Sequence, residues 1–182
     1  RWYKSRSFCG RCGAPTEPIR TERAMVCPKC GLIEYPKICP AVIVAVRDGE
    51  RLLVSRYRDR PFRGWALIAG FAEIGETRED TVRREVLEET GLRLTDYRYC
   101  GIVTFVNGDW TEYMHLFHAV KFEGTLCTCD EGVLEWIDKK RLVDLQQWEG
   151  DKIFLRLMDM RVPFFSLKLV YDGDHLKDAV LN

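Results

Sequence analysis

Residues Gly70 to Leu92, GFAEIGETREDTVRREVLEETGL, place seven carboxylates and three arginines within twenty-three positions of a chain whose 28 basic and 28 acidic residues balance overall. Thr77 predicts a helix N-cap, with Asp80 three residues on as an imperfect capping box. Glu79 and Asp80 then sit where the helix dipole favours negative charge. Gly91 is a natural left-handed residue just past the helix end, so a helix spans 77–90, with Val82, Val86 and Thr90 stepping by four along a core-facing stripe. Glu85, Glu88 and Glu89 lie side by side on one face, where like charges repel by about a few tenths of a kcal/mol per pair. The stretch contains no lysine to relieve that repulsion. Three readings follow: a solvated acidic face, a divalent-metal site for catalysis, or a regulatory binding surface without chemistry. Hard cations such as Mg²⁺ or Mn²⁺ favour such clustered oxygens and bridge to phosphates.

The 182 residues suffice for one core-bearing domain and a small appendage. The appendage is the first 36 residues. In Cys9-Gly10-Arg11-Cys12-Gly13 and Cys27-Pro28-Lys29-Cys30-Gly31 the two cysteine pairs are separated by fourteen residues, from Cys12 to Cys27, with almost no hydrophobic periodicity. A segment this small gains little from burial, whereas four thiolates around Zn²⁺ stabilise it outright and leave no open coordination position. Cys9, Cys12, Cys27 and Cys30 are therefore structural zinc ligands, and residues 1–36 form a zinc ribbon. Cys39, Cys100, Cys127 and Cys129 lack that spacing and read as free thiols.

From residue 37 the pattern becomes that of strands. Ala41 to Val46 is a continuous apolar run; Asp48-Gly49 marks a hairpin and Arg51 to Arg56 the return strand. ALIAGF is a short buried strand before the acidic helix. YCGIVTFV and TEYMHLFHAVKF flank a second hairpin at Asn107-Gly108-Asp109, and period-2 alternation puts Met114, Leu116, Val120 and Phe122 on one face. His115 and His118, three apart, point to opposite faces and do not act as a pair. GVLEWID is a further strand, residues 150–160 a second helix, and FFSLKLVYDGDHL a final strand and turn. Strands with two packed helices make an α+β layer architecture over residues 37–182.

At this point the acidic stretch is recognisable. Gly70-x5-Glu76-x7-Arg84-Glu85-Val86-x-Glu88-Glu89-x-Gly91-Leu92 matches every fixed position of the Nudix box, G-x5-E-x7-R-E-U-x-E-E-x-G-U with U aliphatic. The resemblance implies an α/β/α sandwich around a mixed sheet and metal-dependent hydrolysis of a nucleoside diphosphate linked to another group. It implies Glu85 and Glu89 as the main Mg²⁺ or Mn²⁺ ligands, with Glu88 as further ligand or water activator and the Ala69 backbone carbonyl completing the set. Arg84 and Glu76 would form an orienting ion pair. A carboxylate from outside the box is also implied, with Glu131 as candidate and Glu112 as rival.

Two resemblances bear on the substrate. The ribbon followed by EYPKICPAVIVAV resembles the NADH pyrophosphatases, although the chain reads YCGIVTFVNGDWTEYMHLFHAV where those enzymes carry an S-Q-P-W-P-F-P-type segment. The C-terminal half resembles hydrolases of oxidised purine nucleoside triphosphates of the 8-oxo-dGTP type. There a Trp and a nearby Asp at the start of the second helix hold the base, and Trp148 and Asp151 fall at those positions. An Asn that reads the base in some of them would fall at Ala66. The resemblance thus implies a purine or oxidised purine triphosphate as substrate, with NAD(H) or an NAD-capped RNA end as the second choice and a nucleotide-sensing regulator as the third. Balanced charge argues against a generic nucleic-acid or anionic-membrane binder, and no apolar run approaches the roughly 18 residues of a membrane span. A nucleotide substrate, a homodimer as in related two-module chains and a cytoplasmic setting complete the expectations.

Overall fold

The computed structural model describes residues 2–37, 40–58, 64–129 and 132–182. The chain divides into two compact units, Arg1–Cys39 and Pro40–Asn182. The first opens with a helical turn, α1 (Trp2–Ser5), which the sequence pattern does not signal. Three two-residue strands follow: β1 (Glu17–Pro18), β2 (Met25–Val26) and β3 (Ile33–Glu34), paired antiparallel in that order. Few side chains are buried here beyond Cys9, Ala24, Met25 and Cys27. The glycines after the cysteine pairs close tight turns. Gly13 and Gly31 adopt φ values of 71° and 72°, and their N–H groups each donate to the carbonyl of the first cysteine, Cys9 and Cys27, at 2.9 Å. Both loops therefore close in the same way.

The second unit is a mixed sheet between two helices. Its strands are β4 (Ala41–Asp48), β5 (Arg51–Tyr57), β6 (Ile68–Phe71), β7 (Arg93–Asn107), β8 (Trp110–Glu123), β9 (Gly132–Asp138), β10 (Phe165–Asp172) and β11 (His175–Leu181). The order across the sheet is β11-β10-β7-β8-β4-β5-β9, with β6 paired to β4. The β10–β7 and β8–β4 pairs are parallel and the others antiparallel. One edge of β4 serves two partners in turn. Its residues Ala41–Val44 pair with β6, and Arg47–Asp48 pair with β5.

Alternate residues of β4 feed two separate cores, as the pleat requires. Val42, Val44 and Val46 pack with Val82 and Val86 of α2 (Arg78–Thr90). Ile43 and Ala45 lie with Phe154 and Met158 of α3 (Glu149–Asp159). Burial on both faces explains the unbroken apolar run of β4 and gives the expected α/β/α sandwich. Two details depart from the sequence pattern. Phe122 leaves the face of Met114 and Leu116 and joins the α2-side core. The ladder gives the reason: Asp96 pairs with Lys121 but Tyr97 with Ala119, so an extra residue, Val120, sits in β8 and inverts the alternation beyond it. The C-terminal segment also adds a full strand, β11, where one strand and a turn were expected. Among the described residues no helix is long and apolar enough to cross a membrane.

Candidate active site

The helix carrying the acidic stretch starts and stops where its sequence dictates. Thr77 Oγ1 accepts from the Asp80 N–H at 3.1 Å, and Asp80 Oδ2 accepts from the Thr77 N–H at 3.2 Å, so the capping box is complete. Gly91 ends the helix at φ 75°. Val82, Val86 and Thr90 are buried, which fixes the rotation of the helix and turns Glu85 toward β6; Glu85 and Glu89 are both partly buried. Glu88 lies exposed beside them.

Gly70 of β6 faces this row. A Cβ built on Gly70 would overlap the Glu85 carboxylate, so only glycine lets strand and carboxylate approach so closely. Burial pushes the Glu85 carboxyl above its usual range, against the opposing pull of Arg84.

Arg84 makes five hydrogen bonds. Its Nε donates to Glu76 Oε1 at 2.6 Å and its Nη2 to Glu76 Oε2 at 2.9 Å. Nη2 also donates to the Phe71 carbonyl at 2.9 Å, while Nη1 reaches Glu85 Oε1 at 2.9 Å and Glu88 Oε2 at 3.3 Å. Glu76 accepts further from the Glu73 N–H at 2.9 Å and Thr81 Oγ1 at 3.0 Å. The Arg84 bonds, then that of the Glu73 N–H, hold its carboxyl down at about 2. The pair thus pins the end of β6, the connecting loop and α2 to one another.

On the other side of Gly70 lies a cavity of about 370 Å³. Ala69, Gly70 and Phe71 form one wall, Glu112 and Met114 of β8 another, and Trp148, Asp151 and Tyr171 the end beneath α3. Trp148 stands edge-on to Phe105 and Tyr171, with ring centroids 6.1 and 5.2 Å away. Asp151 is reached through the cavity yet deep in the protein, and its carboxyl has no hydrogen-bond partner among the described residues. Desolvation raises it to about 7. It does not cap the helix: Trp148 occupies the N-cap, with no side-chain capping bond. Glu112 Oε2 accepts from Trp110 Nε1 at 3.3 Å. Glu131 lies outside the described residues.

The NUDIX domain family matches residues 37–158, more than half of the chain. The chain belongs to the Nudix family. The NADH pyrophosphatase zinc ribbon domain matches residues 4–35. The chain is 44% identical over 102 residues to the NAD-capped RNA hydrolase NudC of Pasteurella multocida (strain Pm70), covering 55% of this chain and 39% of that protein. It is 45% identical over 103 residues to NudC of Haemophilus influenzae (strain PittGG), with the same shares. The chain thus spans about two fifths of the length of these curated relatives. Among solved structures, the MutT protein from Bacillus halodurans superposes with a TM-score of 0.73 at 25% identity, covering 80% of this chain and 98% of that one. A Nudix hydrolase from Nitrosomonas europaea gives 0.67 at 21% identity, covering 91% and 99%, and shares the fold.

Within the Nudix unit, the box residues Glu76, Arg84, Glu85, Glu88 and Glu89 are gathered on α2 and its entry loop, with Ala69 at the cavity wall. Among the described residues, the four cysteines are the group of at least three ligating side chains whose donor atoms lie within 4.8 Å of one another. The glutamates share a face without converging so tightly, because Arg84 holds Glu85 and Glu88 while their like charges repel. The Sγ separations, 3.6 Å for Cys9–Cys30 and 3.5 Å for Cys12–Cys27, fit the edges of about 3.8 Å of a tetrahedron with Zn–S near 2.3 Å. Phe105 and Tyr171, which complete the aromatic cavity, were not singled out from sequence. Each lies in a strand whose alternation is legible, but only the sheet order brings β7 and β10 to Trp148.

Proposed function

We propose that the chain is a divalent-cation-dependent hydrolase of a nucleotide pyrophosphate linkage, with a purine base in the cavity of Phe105, Trp148, Asp151 and Tyr171. What supports this reading is the position of Gly70. It lines the cavity and abuts the Glu85 carboxylate, so a base seated on one side of it presents phosphates to the acidic helix face on the other.

Mg²⁺ or Mn²⁺, when bound, supplies neutralisation of the diphosphate oxygens and activation of a water. Glu85 and Glu89 are its assigned holders, with Glu88, the Ala69 carbonyl and Glu112 beside them; Glu131 retains the outside role implied by the family. Arg84 and Glu76 orient the end of β6 at Phe71 and the loop that follows it. Trp148 and its aromatic neighbours offer the purine an apolar slot. Asp151, holding its proton up to about pH 7, donates a hydrogen bond to an acceptor on the base edge. Ala66 offers no side-chain hydrogen bond where it lines that slot. Zn²⁺ at Cys9, Cys12, Cys27 and Cys30 is structural.

The first substrate class is a purine nucleoside triphosphate, oxidised purines included, cleaved to monophosphate and pyrophosphate. A second reading is cleavage of NAD(H) or an NAD-capped RNA end, favoured by the zinc-ribbon match and by the names of the NudC relatives. A homodimer in the cytoplasm is the proposed setting, and sedimentation velocity tests the dimer. A nucleotide panel with Mg²⁺ decides the chemistry. Monophosphate plus pyrophosphate identifies the first class, and nicotinamide mononucleotide plus AMP the second. Tight binding with no turnover, unchanged in Glu89→Gln, makes the protein a sensor instead and ends the hydrolase reading.

A further inference from the structure

A second cavity, of about 340 Å³, lies at the far end of α3 and shares no lining residue with the base cavity. That volume falls in the range of about 300–1,000 Å³ typical of small-molecule sites. Along β4 the nearest lining residues of the two cavities, Ile43 and Arg47, are four residues apart, about 13 Å at the rise of a strand.

The lining is strongly basic. Arg47 from β4, Arg98 from β7 and Arg161 just beyond α3 surround His118, with Asp159 as the lining carboxylate. Asp159 is already engaged, by Arg47 Nη2 at 2.5 Å. Among the described residues Arg98 and Arg161 have no acidic partner. Arg98 and His118 are direct cross-strand neighbours. Burial, then the charges of Arg47 and Arg98, push the His118 imidazole down to about 4. The pocket thus holds unneutralised positive charge beside a half-buried ring.

Arg161 occupies its place against its own backbone preference. It is the non-glycine residue with positive φ, 55°, among the described residues. The surrounding bonds, Arg161 N–H to the Met158 carbonyl at 3.0 Å and Val162 N–H to the Leu157 carbonyl at 3.2 Å, form a helix-terminating motif in which glycine is the usual occupant. Arginine there costs stability relative to glycine, and it brings a guanidinium to the pocket lining.

We propose that Arg47, Arg98, Arg161 and His118 form a second anion site that binds a phosphate group, carried by a free nucleotide or by a polynucleotide. The forked guanidinium donors suit phosphate oxygens, and a bound phosphate offsets the repulsion between the arginines.

The test uses the three imidazoles of the chain. His115 lies away from this pocket, bonded to Tyr99 Oη at 2.7 Å, and with His175 it serves as an internal control. Titration of the zinc-loaded protein, without added Mg²⁺ or Mn²⁺, with inorganic phosphate, followed by NMR of the histidine rings, should move His118 saturably and leave His115 and His175 in place. Arg98→Ala and Arg161→Gly should each weaken that binding about tenfold, the size of a lost charge-assisted bond. Arg161→Gly should do so without lowering the melting temperature, which a purely structural role would not produce. AMP and a short single-stranded RNA then identify the carrier by which binds more tightly at His118. A His118 signal unmoved by all three, or moved equally in the Arg98→Ala/Arg161→Gly double variant, overturns the proposal.

Discussion

Gly70 is the residue on which both halves of the site turn. A methyl group there cannot coexist with the present Glu85 rotamer, so Gly70→Ala should displace that carboxylate, cut turnover by roughly a hundredfold or more and leave the folded protein intact by circular dichroism. Loss of folding together with activity would show the glycine to be a packing requirement only. Glu89→Gln should lower kcat by roughly a hundred- to a thousandfold with substrate binding retained, as measured by calorimetry. Asp151 yields a prediction about pH. Its folded pKa, about 7, lies above its ordinary value of 3.8, so the folded state holds a proton that the unfolded chain releases. Its contribution to stability is full below pH 3.8 and declines as pH rises to about 7. Asp151→Asn removes that decline, so the variant should gain stability over the parent progressively across this window and then stay level. Denaturant midpoints at a series of pH values check the sign; a gap that narrows with pH refutes it.

Among the elements, α2 depends on its ends because it cannot rely on its exposed face. Seven carboxylates in the box region leave much of its surface charged, and four side chains, Thr81, Val82, Val86 and Thr90, carry its burial. Thr77→Ala removes the Oγ1 acceptor for the Asp80 N–H and should cost about 1 kcal/mol. Gly91→Ala imposes a left-handed backbone on alanine and brings its Cβ to 2.9 Å from the Thr125 carbonyl, so it should cost more, roughly 1–2 kcal/mol or above. Thermal unfolding ranks the two. Equal losses would mean that the close contact with Thr125 relaxes freely. Arg84 plays a different part, because its bonds run to Glu76 and Phe71 as well as along the helix. It ties the helix to the strand before it, the two elements between which phosphates are proposed to lie.

At the scale of the whole molecule, the two units are stabilised by different physics. Pro40–Asn182 buries two apolar cores, one on each side of the sheet. Arg1–Cys39 has almost none and depends on its four sulfurs. Chelation of zinc should therefore collapse the dispersed NMR signals of residues 1–39 while those of residues 40–182 persist; a ribbon that keeps its dispersion without metal would contradict this. What the sequence by itself determined is local. The cysteine spacing, the caps of α2, the glycine turns at Asp48-Gly49 and Asn107-Gly108, and the row of glutamates are each set within a few residues of chain, where propensity, spacing and backbone geometry suffice. Tertiary structure decided which distant residues meet. Phe105, Trp148 and Tyr171 form one aromatic slot only because β10 lies parallel to β7 under α3. Phe122 changes face because one extra residue in β8 shifts the pairing with β7. Arg47, Arg98, His118 and Arg161 share a pocket although no spacing relates them. The reason is common to all three: a strand's partner and its register are chosen by the burial of the entire sheet, and periodicity along a single strand carries no record of its neighbour.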